Sequence, residues 1–146
     1  LSLYLMDSHT SIKKHTSVWW TFPSQLASSE CAQLYHFDCD SLKWIKFFTY
    51  LTDVDIAHGP HVAITRSHKP GSKSQKLLNK GYVRFDDNDI LSSLNTNQRE
   101  VLYSCKRGSI ILADTRCWHK GTAVREGYRI MMDHVYLAHQ LSRQVV

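Results

Sequence analysis

The chain has 146 residues, 42% of them hydrophobic and 21% charged, which suits a single globular domain over 1–146 and excludes a disordered chain. No apolar run approaches the roughly 20 residues that a helical membrane crossing needs, and the start, LSLYLMDSHT, lacks the basic region of a signal peptide. A formal net charge of +5 permits an anionic or nucleic-acid partner without demanding one.

Taken in chain order, the pattern is one of short strands. SVWWTF (17–22), AQLYHFD (32–38), KWIKFFTYL (43–51) and HVAITRS (61–67) are rich in aromatic and β-branched residues. So are REVLYS (99–104), SIILAD (109–114) and YRIMMDHVYL (128–137). Turn residues at 53–60, 69–74, 106–108 and 126–127 separate them. This pattern predicts an all-β fold of sandwich, barrel or jelly-roll type. Trp19 and Trp20 are adjacent on a strand and face opposite ways, so one is expected in the core and the other is a candidate for a pocket wall.

Residues 68–98 break the rhythm. The stretch is polar and carries one short helix candidate, DNDILSSL (87–94), with Asp87 as its N-cap. It is expected to be an insertion or lid between sheet strands. Arg66, Lys69, Lys73, Lys76, Lys80 and Arg84 make it either a solvated loop or a lid that draws in an anionic substrate. Cys31, Cys39, Cys105 and Cys117 form no CxxC pair, so they are expected to be reduced thiols.

The chemistry centres on His36-Phe37-Asp38. On a strand, positions i and i+2 share a face, so the imidazole and the carboxylate stand side by side while Tyr35 and Phe37 turn away. That supplies two members of a 2-His-1-carboxylate triad, which holds Fe(II) with positions left open. His119, in DTRCWHKG, is the candidate third ligand. Arg129 follows ten residues later, in GYRIMM. A hairpin about 125–127 is expected to lay the Arg129 strand beside His119, with Met131 and Asp133 on the same face. A guanidinium suits bidentate capture of a carboxylate. Phe48 is expected on a strand crossing the same pocket.

The order of HxD, a distant His and an Arg about ten residues later resembles the pattern of Fe(II)- and 2-oxoglutarate-dependent oxygenases. Within them, YHFDCDSLKWIKFFTYLTDVDIAHGPHVAITRSHK resembles the phytanoyl-CoA dioxygenase family. The shared features are HxD, a hydrophobic strand, the acidic turn TDVD (52–55), His58-Gly59-Pro60 and Arg66-Ser67-His68-Lys69. GSIILADTRCWHKG and GYR match its later strands, so the resemblance spans about residues 31–137. Arg66 stands where the family has Gly, and His58 where it has Asn.

The resemblance implies a double-stranded β-helix, a cupin-like jelly roll, with little helix. It implies that His36, Asp38 and His119 bind iron, and that Arg129 and Thr122 hold the distal carboxylate of 2-oxoglutarate with Phe48 as a wall. The reaction implied is hydroxylation of a small-molecule or lipid-like substrate, with succinate and CO2 released. Asp38 occupies the position where halogenases of this class carry a small residue, which favours hydroxylation. Family members carry more chain before HxD than the 35 residues here, so part of the N-terminal region is expected to be missing.

Two other readings compete. An AlkB-type nucleic-acid demethylase shares the triad, but it carries a second Arg six residues after the first, where this chain has Val135. A non-enzymatic cupin-like module would keep the fold without turnover. His68 is expected to stabilise a turn rather than serve as a fourth ligand. Reduced thiols suit a cytosol-like compartment, so a cytoplasmic location is expected, and the ending LSRQVV carries no peroxisomal tripeptide.

Overall fold

The structure, a computed structural model, describes residues 13–23, 31–40 and 44–137. The terminal signals discussed above lie outside these residues. Among the described residues, seven strands form two antiparallel sheets. They are β1 (Lys13–Thr21), β2 (Trp44–Tyr50), β3 (His61–Ile64), β4 (Glu100–Tyr103), β5 (Ile110–Ala113), β6 (His119–Gly121) and β7 (Arg129–Leu137). The larger sheet has the order β1-β7-β2-β5 and the smaller one β4-β3-β6. Among the described residues, no helix is long and apolar enough to cross a membrane.

Period-two alternation decides what each sheet buries. Phe48 pairs with Ile111 on β5 and Asp133 on β7, and Tyr50 with Met131, so these side chains share one face. That face meets the smaller sheet. Phe48, Tyr50, Val54 and Ile111 form a buried cluster with Tyr103 of β4 packed against it. The Tyr50 hydroxyl pins the two sheets together. It donates to the Tyr103 carbonyl (3.1 Å) and accepts from the His61 backbone N–H (2.8 Å).

The segment 68–98 departs from expectation. It carries two helical turns, Gln75–Leu78 and Asp87–Leu91, and the second is capped by Asp86, not Asp87: the Asp86 side chain accepts from Asp89 N–H. Leu77, Phe85 and Ile90 are buried with Tyr35, Val62, Ile64 and Trp118. Val62 and Ile64 alternate with His61 and Ala63 along β3, so the segment covers the outer face of the smaller sheet. Its few apolar residues, spaced too sparsely to read as a helix pattern, are the anchors. Arg66, just before this segment, is the only described non-glycine residue with positive φ (62°).

Two further expectations fail. Residues 32–38 are not a strand. Cys31–Gln33 is a 3-10 turn, and Tyr35 and His36 make isolated bridges to Phe85 and His119. The bridges still set the expected alternation, with Tyr35 fully buried in the core. Neither Trp19 nor Trp20 is a core residue, with 55% and 62% exposure. Trp20 instead stacks on Phe22 (5.4 Å between centroids) beside Tyr128, because β1 is an edge strand whose outer face nothing described covers.

Candidate metal centre

The space between the sheets is apolar at one end and polar at the other. The polar end is a cavity of about 210 Å³ lined by His36, Asp38 and His119 together with Lys46, His61 and Arg129. Phe48, Met131, Gly121, Ala32, Trp19 and Asp133 complete it. The volume is below the roughly 300–1,000 Å³ of drug-sized pockets.

Backbone pairing brings two of the sequence candidates together. His36 N–H donates to the His119 carbonyl (3.0 Å) and His119 N–H to the His36 carbonyl (2.8 Å). Asp38 N–H donates to Thr115 O (2.8 Å), which fixes the carboxylate two residues further on. One ligand atom from each of His36, Asp38 and His119 lies within 4.8 Å of the others. Asp38 Oδ1 stands 4.0 Å from His36 Nε2, and Oδ2 stands 3.7 Å from His119 Nε2.

The imidazoles are oriented for ligation. His36 Nδ1 is 2.9 Å from Leu34 O and His119 Nδ1 is 3.0 Å from Cys117 O. A carbonyl can only accept, so each Nδ1 carries the proton and each Nε2 keeps a lone pair aimed at Asp38. Burial lowers the pKa of both rings, that of His119 to about 4, so both are neutral near pH 7. Burial alone would raise the Asp38 carboxyl, but the facing His119 and Lys46 outweigh it and hold the group below its ordinary value. Two neutral imidazoles and a carboxylate are the donor set of a facial triad, so these residues fit a divalent ion such as Fe(II).

Arg129 reaches the cavity by another route than expected. Strand β7 pairs with β1 and β2, whereas β6, which carries His119, pairs with β3. The 125–127 turn therefore crosses between sheets instead of forming a hairpin, and Arg129 faces the imidazoles from the opposite wall. Its guanidinium donates to the Gly59 carbonyl and to Thr21 Oγ1 (3.3 Å). Its Nε is the only buried side-chain nitrogen or oxygen among the described residues with no partner. An unpartnered donor on a buried cation fits an anionic ligand.

The remaining candidates divide. Phe48 lines the cavity as expected. Thr122 does not; its hydroxyl donates to Pro60 O (2.9 Å) and is used in the turn. His68 lies apart from the triad, with Nδ1 3.4 Å from Cys117 Sγ. None of the basic residues between 66 and 84 lines the cavity. Lys73 Nζ, for one, donates to the carbonyls of Ser67 and Arg116 (2.7 Å to the latter). Cys39, Cys105 and Cys117 are free thiols.

Sequence reasoning gave no role to Lys46 or His61. Lys46 Nζ lies 2.6 Å from Asp38 Oδ2 and 3.2 Å from Asp40 Oδ2. The signal was present: in WIKFFTY, Lys46 shares the parity of Phe48, and a lone charge on the buried parity of a strand is a flag. His61 is buried with its ring 4.8 Å from Phe48 and 5.6 Å from His119, and burial lowers its pKa well below the ordinary value.

Neither a family model nor a curated protein sequence matches this chain. Solved structures do match. The non-heme α-ketoglutarate-dependent carbocyclase SnoK from nogalamycin biosynthesis superposes with a TM-score of 0.62 at 16% identity, over 88% of this chain and 53% of that one. The epimerase SnoN of the same biosynthesis gives 0.57 at 14% identity, over 86% and 49%. HygX from Streptomyces hygroscopicus, with nickel and 2-oxoglutarate bound, gives 0.52 at 12%, over 88% and 57%. At these identities the likeness is one of fold. This chain spans about half the length of the structures it matches.

Proposed function

We propose that this chain is the core of an Fe(II)- and 2-oxoglutarate-dependent oxygenase that hydroxylates a small-molecule substrate, built as a double-stranded β-helix. The observation that carries this reading is the meeting in one cavity of the neutral His36 and His119, the carboxylate of Asp38 and, from the facing sheet, the incompletely partnered guanidinium of Arg129. The fold likeness to enzymes whose names specify α-ketoglutarate supports it, as does the 2-oxoglutarate bound in HygX. The phytanoyl-CoA dioxygenase resemblance in residues 31–137 narrows the reading further.

When bound, iron with 2-oxoglutarate supplies the oxidising power that side chains lack. His36, Asp38 and His119 would hold the ion. Arg129 would hold the far carboxylate of the co-substrate, and Phe48 would shield its carbon chain. The Leu34 and Cys117 carbonyls keep each ring in the tautomer that ligation needs.

The test is anaerobic addition of Fe(II) and then 2-oxoglutarate. The charge-transfer absorption of an α-keto acid chelated to ferrous iron is expected, followed by succinate release once O2 enters. A spectrum without that absorption would sink the reading. One observation favours a second reading, a metal-free cupin-like module: Lys46 already neutralises Asp38. On that reading the protein takes up no Fe(II).

A further inference from the structure

Asp133 has no part in the chemistry described so far. It sits in the middle of β7, opposite Ser17 on β1 and Phe48 on β2, and its side chain turns into the cavity. It is 9% exposed. Oδ1 accepts the Ser17 backbone N–H (3.1 Å) and the Trp19 indole N–H (3.4 Å). Oδ2 has no partner among the described residues. Lys46 and Arg129 line the same cavity, yet neither pairs with Asp133: Lys46 is engaged by Asp38 and Asp40, and Arg129 by Gly59 and Thr21. Arg129 Nε is the one buried side-chain nitrogen or oxygen without a partner among the described residues, so Asp133 Oδ2 is open to the cavity and free to accept from a ligand.

Its surroundings narrow what would answer it. A carboxylate only accepts hydrogen bonds. Trp19, half-exposed, borders the cavity beside it, and an indole ring favours a cation. Met131 and Phe48 supply apolar walls next to it. A substrate carboxylate or phosphate would be repelled here, and the basic residues of 66–84 that suggested an anionic substrate do not line the cavity.

We propose that Asp133 and Trp19 form a substrate subsite that takes a protonated amine. The proposal assumes the oxygenase reading only in calling the ligand a substrate. Asp133 Oδ2 accepts from the ammonium, Trp19 covers it, and the attached carbon chain lies along Met131.

The experiment titrates n-butylammonium, n-butanol and butyrate into the protein, without and with Co(II) plus 2-oxoglutarate. The NMR signal of the Trp19 indole N–H, assigned by its loss in Trp19→Phe, reports binding. Butylammonium is expected to bind at least about tenfold more tightly than the other two, by the usual strength of charge-assisted hydrogen bonds. Asp133→Asn is expected to bring it to within about twofold of butanol while Co(II) uptake persists. Equal binding of the three probes by the parent overturns the proposal, and so does an Asp133→Asn protein that keeps the amine preference. Should that variant fail to fold, the parent's ranking of the probes decides. Co(II) absorption separates the two readings. Amine preference without Co(II) uptake sinks the oxygenase reading alone, and Co(II) uptake without amine preference sinks the subsite alone.

Discussion

His36 and His119 are locked to each other by their own backbones. Each donates its N–H to the other's carbonyl, at 3.0 and 2.8 Å, and the two rings lie 4.3 Å apart. The pair is therefore set before any ion arrives, although the residues are far apart in the chain. Because the bridge is made of backbone, it survives loss of either side chain. His36→Ala and His119→Ala are expected to fold yet lose divalent-ion binding. An ion at a hundred times its dissociation constant stabilises the parent by about 2.7 kcal/mol. Melting with and without Mn(II) should show a rise in Tm for the parent and none for either variant.

The imidazoles also make the ion-free protein sensitive to acid. His119 has an ordinary pKa of 6.5 and is held at about 4, chiefly by burial. Between those values the unfolded chain binds a proton that the folded chain refuses. The associated stability is complete above about pH 6.5 and is lost as pH falls towards 4. At about 1.4 kcal/mol per unit, the loss is on the order of 3 kcal/mol. His36 and His61 are lowered too and add in the same direction. Urea unfolding at pH 7, 5.5 and 4.5 should show the fall, and His119→Gln should flatten it. An unchanged slope in that variant would remove His119 as the cause.

Lys46 acts as a stand-in charge. Its ammonium pairs with Asp38 at 2.6 Å, and both side chains are largely buried. Lys46→Met leaves the carboxylate without a cation, a loss of about 3 kcal/mol for the ion-free protein by the usual cost of halving a buried pair. A divalent ion then restores what was removed. The gain in Tm on adding Mn(II) is expected to be larger for Lys46→Met than for the parent. Equal gains would show that Lys46 does not neutralise Asp38.

Arg129 should separate co-substrate binding from ion binding. Arg129→Lys keeps the charge but loses the planar fork and the unpartnered Nε. We expect 2-oxoglutarate to bind roughly tenfold to a hundredfold more weakly, the range of one or two charge-assisted hydrogen bonds, with Co(II) affinity unchanged. Calorimetric titration of each ligand checks both halves.

Two turn positions make opposite predictions. Arg66 holds φ +62°, which glycine adopts at no steric cost, so Arg66→Gly is expected to stabilise the fold by up to about 1 kcal/mol. Gly59 holds φ +73°, and a Cβ there would stand 2.6 Å from the Thr122 carbonyl oxygen. Gly59→Ala is expected to destabilise by more than about 1 kcal/mol and to weaken 2-oxoglutarate binding, since Arg129 leans on the Gly59 carbonyl. Chemical denaturation measures both.

Local spacing made most of the strands and the shared face of His36 and Asp38 legible in the sequence, because alternation needs only neighbours, but 32–38 forms only isolated bridges and the three-residue β6 is too short to show a period. The partner of the Arg129 strand was not legible. Pairing across a sheet is a choice among distant segments, and the turn at 125–127 reads the same whether the chain doubles back or crosses to the facing sheet. The segment 68–98 misled for a related reason: Leu77, Phe85 and Ile90 look isolated until folding gathers them under Trp118. Thr122 is near His119 in sequence, yet its hydroxyl is held in the turn by the Pro60 carbonyl.

The placement of His119 and Arg129 on facing sheets turns the space between the sheets into a gauge. A ligand that touches both the triad and the guanidinium must match a width set by packing, and the Tyr50 hydroxyl is the peg that fixes that width. Tyr50→Phe would leave every cavity-lining residue in place and loosen the fit, so the first property to go would be discrimination between dicarboxylates one carbon apart.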